Sequence, residues 1–286
     1  MSRAQISILT SLAMLAFAGN SLLCRVALKN TGIDAASFTS IRLISAAVAL
    51  WLLVRLSSKT PSGGGNWPSA FALFAYAAGF SFAYINLTAA TGALLLFGAV
   101  QTTMIGYGMW RGERLLGLQW LGLVLALGGL VGLTLPGLEA PPVVSSLLMI
   151  GAGVAWGVYS LRGKGAGDPT VVTAGNFLRT VPITIVLSLL MMRHIAWDSA
   201  GIWYAIMSGA LTSGIGYAIW YKALPALKAT QAATVQLSVP VIAAIGGIIL
   251  LGESISLRLI LASIAIISGI ALVILERKKS NGVQPS

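Results

Sequence analysis

The sequence predicts an all-α integral membrane fold: ten transmembrane helices arranged as two inverted five-helix repeats around a central cavity. Three observations predict it. Hydrophobic residues make up 57% of the 286 and charged residues only 9%, with a mean hydropathy of +0.90; a soluble domain carries roughly 25% charged residues. The apolar residues gather into runs of about 20, the length that crosses a bilayer. The basic residues alternate between connections in a pattern that ten spans explain and nine or eleven would scramble. So apolar a composition excludes a cytosolic enzyme, a disordered chain and a secreted disulfide scaffold.

Each span has its own justification. The first, about 5–23, follows Arg3 and carries Gly19-Asn20-Ser21 near its end. Ala16-Phe17-Ala18 also fits a signal-peptide cleavage pattern; the internal repeat described below needs this segment, which favours a retained span. The second, about 35–56, contains Arg42 and closes on Arg55. Gly63-Gly64-Gly65 punctuate the chain before the third, about 68–88. The fourth, about 92–110, holds Gln101-Thr102-Thr103 at its middle. The fifth, about 117–135, offers Gly128-Gly129-Gly132 as a close-packing surface. Pro136 and Pro141-Pro142 separate it from the sixth, about 143–161. Asp168-Pro169 opens the seventh, about 169–191. The eighth, ninth and tenth follow at about 199–220, 229–251 and 257–275. Beyond them lies only a short tail, Lys278 to Ser286.

Charge sets the orientation. Of the 18 Lys and Arg, twelve fall on the face that carries the N-terminus, among them Arg55, Lys59, Arg111, Arg114, Arg162, Lys164 and Lys228. Four fall on the opposite face (Arg25, Lys29, Arg193 and Arg258), and Arg42 and Arg179 lie inside spans. Both termini are therefore expected in the cytoplasm. The net charge of +11 is read as this topological signal rather than as a nucleic-acid surface. Trp67, Trp110, Trp120, Trp197, Trp203 and Trp220 stand near span ends and form the expected interfacial belt. One cysteine, Cys24, excludes an intrachain disulfide, one histidine, His194, excludes a site needing two imidazoles, and no P-loop is present. Neither cofactor nor metal is expected. The oligomeric state is left open, a monomer being compatible with everything above.

The halves resemble each other. Gly112-Glu113 follows the fourth span and Gly252-Glu253 the ninth, an offset of 140 at which Gly128-Gly129 also meets Ser268-Gly269. Gly19-Asn20-Ser21 lies opposite Gly157-Val158-Tyr159 at offset 138. Five spans per unit is odd, so the second unit enters the membrane upside down. The arginines flanking the first Gly-Glu become Leu251 and Ser254 at the second, as the charge rule requires. The units are residues 1–138 and 139–278, with 279–286 as a cytoplasmic tail. Inverted repeats are a device of secondary transporters, with the substrate site near the midplane.

At these residues the chain resembles the drug/metabolite transporter superfamily, in its EamA-repeat branch. The Gly19-Asn20-Ser21 cluster, Pro240 in the ninth span, the paired Gly-Glu and Arg114 after the first pair carry the resemblance, which spans essentially the whole chain. The aromatic-rich interior is most similar to the YddG-type amino-acid exporters. Val100 stands where the first repeat would match Pro240, so the fourth span is expected to bend differently from the ninth. The resemblance implies export of small metabolites, often amino acids, across a bacterial inner membrane by alternating access. It also implies a cavity lined by spans one, three, four, six, eight and nine, with five and ten outside.

Polar and aromatic groups at membrane depth are the substrate-site candidates. Tyr76, Phe80 and Tyr84 recur every four residues on one face of the third span. Trp156 and Tyr159 in the sixth span, and Tyr217 with Tyr221 in the eighth, make two further aromatic pairs. Asn20, Ser21 and Gln101 add polar groups, and Gln231, Thr234 and Ser238 fall at i, i+3 and i+7 before Pro240. Pro240 cannot donate to the helix ladder, which frees a carbonyl near Gln236 or Leu237 and makes it a hinge candidate. Arg42 and Arg179 are candidate partners for a substrate carboxylate; bonding to backbone carbonyls is the competing role. None of the seven Asp and Glu lies at mid-membrane, and Glu113 and Glu253 sit at helix ends, where a structural role is expected. Without a buried acidic relay, movement down the substrate gradient is expected rather than proton coupling. A nucleotide-sugar carrier would want a denser cluster of buried Lys and Arg. A membrane-embedded enzyme would need a nucleophile–base pair or metal ligands, so no enzymatic activity is expected.

Overall fold

The computed structural model describes residues 1–57, 64–112, 114–115, 117–137, 139–163, 167–227 and 229–280, without the side chains of 229–231, 233 and 276–280. Glu113, Lys59, Lys164, Lys228, Gly63 and the side chain of Gln231 therefore lie outside the described residues.

Among the described residues the chain is helical throughout. The helices are α1 (Arg3–Asn30), α2 (Ala35–Leu56), α3 (Trp67–Tyr84), α4 (Ala89–Trp110), α5 (Gly117–Thr134), α6 (Val143–Arg162), α7 (Pro169–Leu190), α8 (Ser199–Ile206), α9 (Gly216–Ala223), α10 (Ala229–Gln236), α11 (Ser238–Leu251) and α12 (Leu257–Ser280). A π-helical segment, Met207–Ile215, joins α8 to α9, so the eighth span is one broken rod, Ser199–Ala226. A single residue, Leu237, separates α10 from α11 in the ninth. Among the described residues nine helical stretches are long and apolar enough to cross a membrane. α3 is not one of them; its Trp, Tyr, Pro and Ser residues dilute its hydropathy. Helix starts follow local chemistry. Ser2 and Gln5 form a capping box, and Asp34, Asn66, Thr88, Asp168 and Asp198 each accept from backbone N–H groups of the following turn.

Three boundaries overrun expectation for one reason, one of them that of α12, which continues past Leu275 to Ser280, while α3 stops short at Tyr84. Hydropathy stops a span where a charge begins, but α1 runs on through Arg25 and Lys29 to Asn30, and the eighth span runs past Lys222 to Ala226. A helix continues through a charge that has a partner or can reach the interface.

The packing separates a core from an outer pair. α5 lies against α12, while α6 packs on α3 and α4, α7 on α2 and α3, α11 on α1 and α4, and α9 on α1. The contact of α5 with α12 is made through Gly122, where a Cβ would strike the Gly269 carbonyl, and through Gly129, where it would lie 2.9 Å from Ile266. Gly128 and Gly132, expected on this surface, have nothing within 4 Å and face away from it. The bundle is unevenly tight along its length. Every residue of α4 from Ala89 to Gln101 is buried, whereas Gly106 and Tyr107, toward the other end, are exposed.

Candidate functional site

A narrow cavity of about 20 Å³, room for little more than one water, sits at mid-bundle, lined by Phe17, Asn20, Tyr76, Phe80, Leu96, Phe97, Trp156, Thr212 and Tyr217. These come from α1, α3, α4, α6, the π segment and α9, that is, from spans one, three, four, six and eight. The ninth span contributes no lining residue, although the sequence places it there.

One wall is aromatic. Trp156 is its centre, with ring centroids 4.8 Å from Tyr76, 5.0 Å from Tyr217 and 5.3 Å from Tyr159 in a stacked pair. Phe17 meets Tyr217 edge-on at 5.8 Å and Trp220 at 6.0 Å. Trp220 is therefore not part of the interfacial belt. It is buried, because the eighth span continues past it and turns that face toward α1. Trp67, Trp110, Trp120, Trp197 and Trp203 are exposed.

The facing wall is a knot of polar groups. Asn20 Nδ2 donates to the Tyr76 hydroxyl at 3.2 Å, and Asn20 Oδ1 accepts from Ser208 Oγ at 2.7 Å and Thr212 Oγ1 at 3.3 Å. Arg42 Nη2 donates to the same Tyr76 hydroxyl at 3.0 Å. The π segment puts Ser208 and Thr212 within reach of Asn20; π-helical turns are rare and cluster at functional sites. It also brings the backbone against α2, where a Cβ on Gly209 would strike Ser45 Oγ and the Arg42 carbonyl. Only glycine fits that approach.

Arg42 is the largest fully buried side chain of the described residues, at 1% exposure. Its guanidinium carbon lies 4.8 Å from the Phe80 ring centre and 5.3 Å from that of Tyr76. Among the described residues its Nε and Nη1 have no hydrogen-bond partner.

The remaining candidates are placed elsewhere. Tyr84 closes one end of the aromatic column: its ring meets Phe80 at 4.7 Å and its hydroxyl donates to the Ala89 carbonyl at 3.3 Å. Ser21 and Gln101 are buried but do not line the cavity. Tyr159 is buried behind Trp156. Thr234 is exposed, and Ser238 Oγ donates to the Val235 carbonyl at 2.7 Å. Pro240 follows the break at Leu237, whose N–H reaches Thr234 at 3.1 Å in a tightened turn. Arg179 Nη1 donates to the carbonyls of Gly64 at 2.7 Å and Gly175 at 2.9 Å, tying the segment before α3 to α7. Among the described residues no three His, Cys, Asp or Glu side chains gather as metal ligands would.

One junction went unforeseen. Arg25 Nε pairs with Glu253 Oε1 at 3.1 Å, and its Nη1 donates to the carbonyls of Tyr84 and Ile85 at 2.9 Å each. Glu253 Oε2 accepts from Ala89 N at 2.8 Å, at the start of α4. Phe17, Ser208 and Thr212 were missed as well. Their signal is present, since Phe17 precedes Asn20 by one turn and Ser208 and Thr212 share a face.

Comparison with known proteins agrees with the helical membrane fold. Residues 144–275 match the model of the EamA-like transporter family. An uncharacterized protein of Pseudomonas aeruginosa is 57% identical over 272 residues, covering 94% of each chain. The chain belongs to the EamA-like transporter family. It is thus a multi-pass membrane protein of the drug/metabolite transporter superfamily. An uncharacterized transporter of Archaeoglobus fulgidus is 25% identical over 93% of this chain and 96% of its own. The threonine/homoserine exporter RhtA of Escherichia coli K12 is 29% identical over 124 residues, 42% of each chain. A crystal structure with a TM-score of 0.68 and 17% identity covers 97% of this chain and 100% of its own, and shares the fold.

Proposed function

We propose that this chain is a secondary transporter that exports amino acids, aromatic or apolar ones among them, or similar small metabolites by alternating access. The observation that carries the proposal is a cavity between the two halves, with an aromatic wall from Trp156, Tyr76, Phe80 and Tyr217 and a polar wall from Asn20 and Thr212. Flat or branched apolar side chains suit the first wall, and a polar head group suits the second.

The mechanism needs two equivalent halves, residues 1–138 and 139–278, inverted in the bilayer. Helix pairings support this reading. The packing of α3 on α6 has its counterpart in α1 on α9, that of α4 on α6 in α1 on α11, and that of α3 on α7 in α2 on the π segment. The pairs α2 with α7, α4 with α11 and α5 with α12 exchange onto themselves. With both termini cytoplasmic in a bacterial inner membrane, the tight half of α4 faces outward and the looser half faces the cell. The cavity is then sealed from outside. The break at Leu237 before Pro240 is the hinge about which α10 and α11 swing. The export activity of RhtA adds support for amino acids as the substrate class.

Reconstituted liposomes loaded with labelled phenylalanine, leucine or threonine test this. Protein-dependent efflux of at least one of them, saturable and competed by unlabelled solute, is expected. No flux of any of the twenty amino acids overturns the proposal.

A further inference from the structure

We infer that Arg42 is the anchor for the carboxylate of the transported solute, so that the site selects ionised carboxylic acids over their neutral counterparts. The inference rests on the transport reading above and adds the chemical group the site recognises.

A buried guanidinium carries five N–H donors and no acceptor. In Arg42 one of these reaches Tyr76, and Nε and Nη1 have no partner. Nη2 belongs to both two-donor edges of the guanidinium. Whichever of its hydrogens Tyr76 takes, the other edge stays open as a fork that fits the two oxygens of a carboxylate. The faces of Tyr76 and Phe80, over which the cation sits, offset part of its desolvation but supply no acceptor. Leaving such donors buried and unpaired is costly, and an incoming anion relieves that cost.

Among the described side chains no competing anion stands there. Asp34, Asp168 and Asp198 cap helices, Glu139 is exposed between α5 and α6, and Glu253 is committed to Arg25 and Ala89. Among the described side chains no carboxylate stands beside Arg42. The Tyr76 hydroxyl accepts from both Asn20 and Arg42, which occupies its two lone pairs and leaves its own proton to donate. The cluster therefore presents donors and one positive charge. A single carboxylate balances that charge, whereas a phosphate dianion would bring an excess. Arg42 does not itself line the cavity; Tyr76 and Phe80, which its guanidinium contacts, do, so a carboxylate reaches it by displacing these rings while the solute's side chain stays against the aromatic wall.

The test compares equilibrium binding of phenylalanine, leucine and threonine with that of their carboxamides, using full-length protein in detergent micelles. At least one acid is expected to bind about tenfold more tightly than its amide, as one charge-assisted fork provides. Arg42→Gln is expected to erase that preference, the acid losing about tenfold more affinity than the amide. Arg42→Lys keeps the charge without the fork and is expected to weaken the preference, and it serves if the glutamine variant does not fold. Equal affinity for acid and amide, no binding of any acid, or an undiminished preference in both variants overturns the assignment. Solute flux without acid preference removes the Arg42 site and leaves the transporter reading standing. Acid preference that depends on Arg42, without flux in liposomes, does the reverse.

Discussion

Arg25 and Arg42 are both buried arginines, and their surroundings differ in completeness. Arg25 gives its donors to a carboxylate and two helix-terminal carbonyls, and the carboxylate's second oxygen caps α4. That junction joins the ends of α3 and α11 and the start of α4 to α1. Arg42 gives one bond to a phenol and leaves two nitrogens unpaired. The contrast teaches how to read a buried cation. A fully satisfied one holds helices together, and an unsatisfied one beside a cavity is held in reserve for a ligand. Binding sites trade stability for function in this way.

The largest effect is expected at the satisfied arginine. Glu253→Ala leaves Arg25 buried without its counter-charge and frees the α4 amide, a loss of about 3–5 kcal/mol by the general behaviour of broken buried pairs. The measurement is the apparent melting midpoint in detergent. Glu253→Gln retains an acceptor and should fall between the alanine variant and the parent. An alanine variant as stable as the parent would break the comparison at its structural end.

Next comes the shared phenol. Tyr76→Phe removes the acceptor used by both Asn20 and Arg42, at a cost of about 1–3 kcal/mol for newly unpaired buried donors. A smaller drop in midpoint than for Glu253→Ala is expected, with weakened solute binding. Arg42→Met should do less to stability still. Replacing an incompletely satisfied buried charge by an apolar side chain of similar length is often neutral or stabilising, so an unchanged or higher midpoint is expected together with loss of acid binding. A marked fall in midpoint would show that Arg42 is a strut like Arg25.

The same contrast explains what could be read from the sequence. Spans, caps and aromatic stripes are local: Tyr76 and Phe80 lie one turn apart, and a period of 3.6 places them on one face before any tertiary contact forms. Asn20, Trp156 and Tyr217 were legible for a similar reason, as polar or aromatic residues inside apolar runs. Hydropathy ends a helix at a charge and so places Arg25 in a loop. Its partner lies 228 residues away, and no local pattern announces such a pairing. The π segment was invisible because Ser208, Gly209 and Thr212 differ little from ordinary small residues of a packed membrane helix. Arg42 and Arg179 looked alike in sequence. Only the packing distinguishes them, since Gly64 and Gly175 offer carbonyls to the second and nothing offers them to the first.

Asp34 provides the mildest case, a charge that is fully used yet borders water. Its Oδ1 accepts from Ala36 N and Ser37 N at 2.9 Å each, and its Oδ2 from Ala196 N at 3.0 Å, which bridges the start of α2 to the segment before α8. Partial burial pushes the carboxyl up, but the hydrogen bonds from Ser37, Ala196 and Ala36 outweigh it and hold the group below its ordinary value of 3.8. A depressed carboxyl contributes stability that is present above the unfolded value and lost as pH falls through the folded one. Asp34→Asn keeps an oxygen for the cap, where Asn serves about as well as Asp, and loses the charge and the acceptor for Ala196. The expected loss at neutral pH is about 1 kcal/mol or less. Melting midpoints followed from pH 7 downward should converge for parent and variant only as pH falls below 3.8 and through the depressed folded value, because protonation removes from the parent what the substitution has already removed. Curves that stay parallel throughout would mean that the carboxyl's charge adds nothing to the bridge, and that its role at the rim of the bundle is the cap alone.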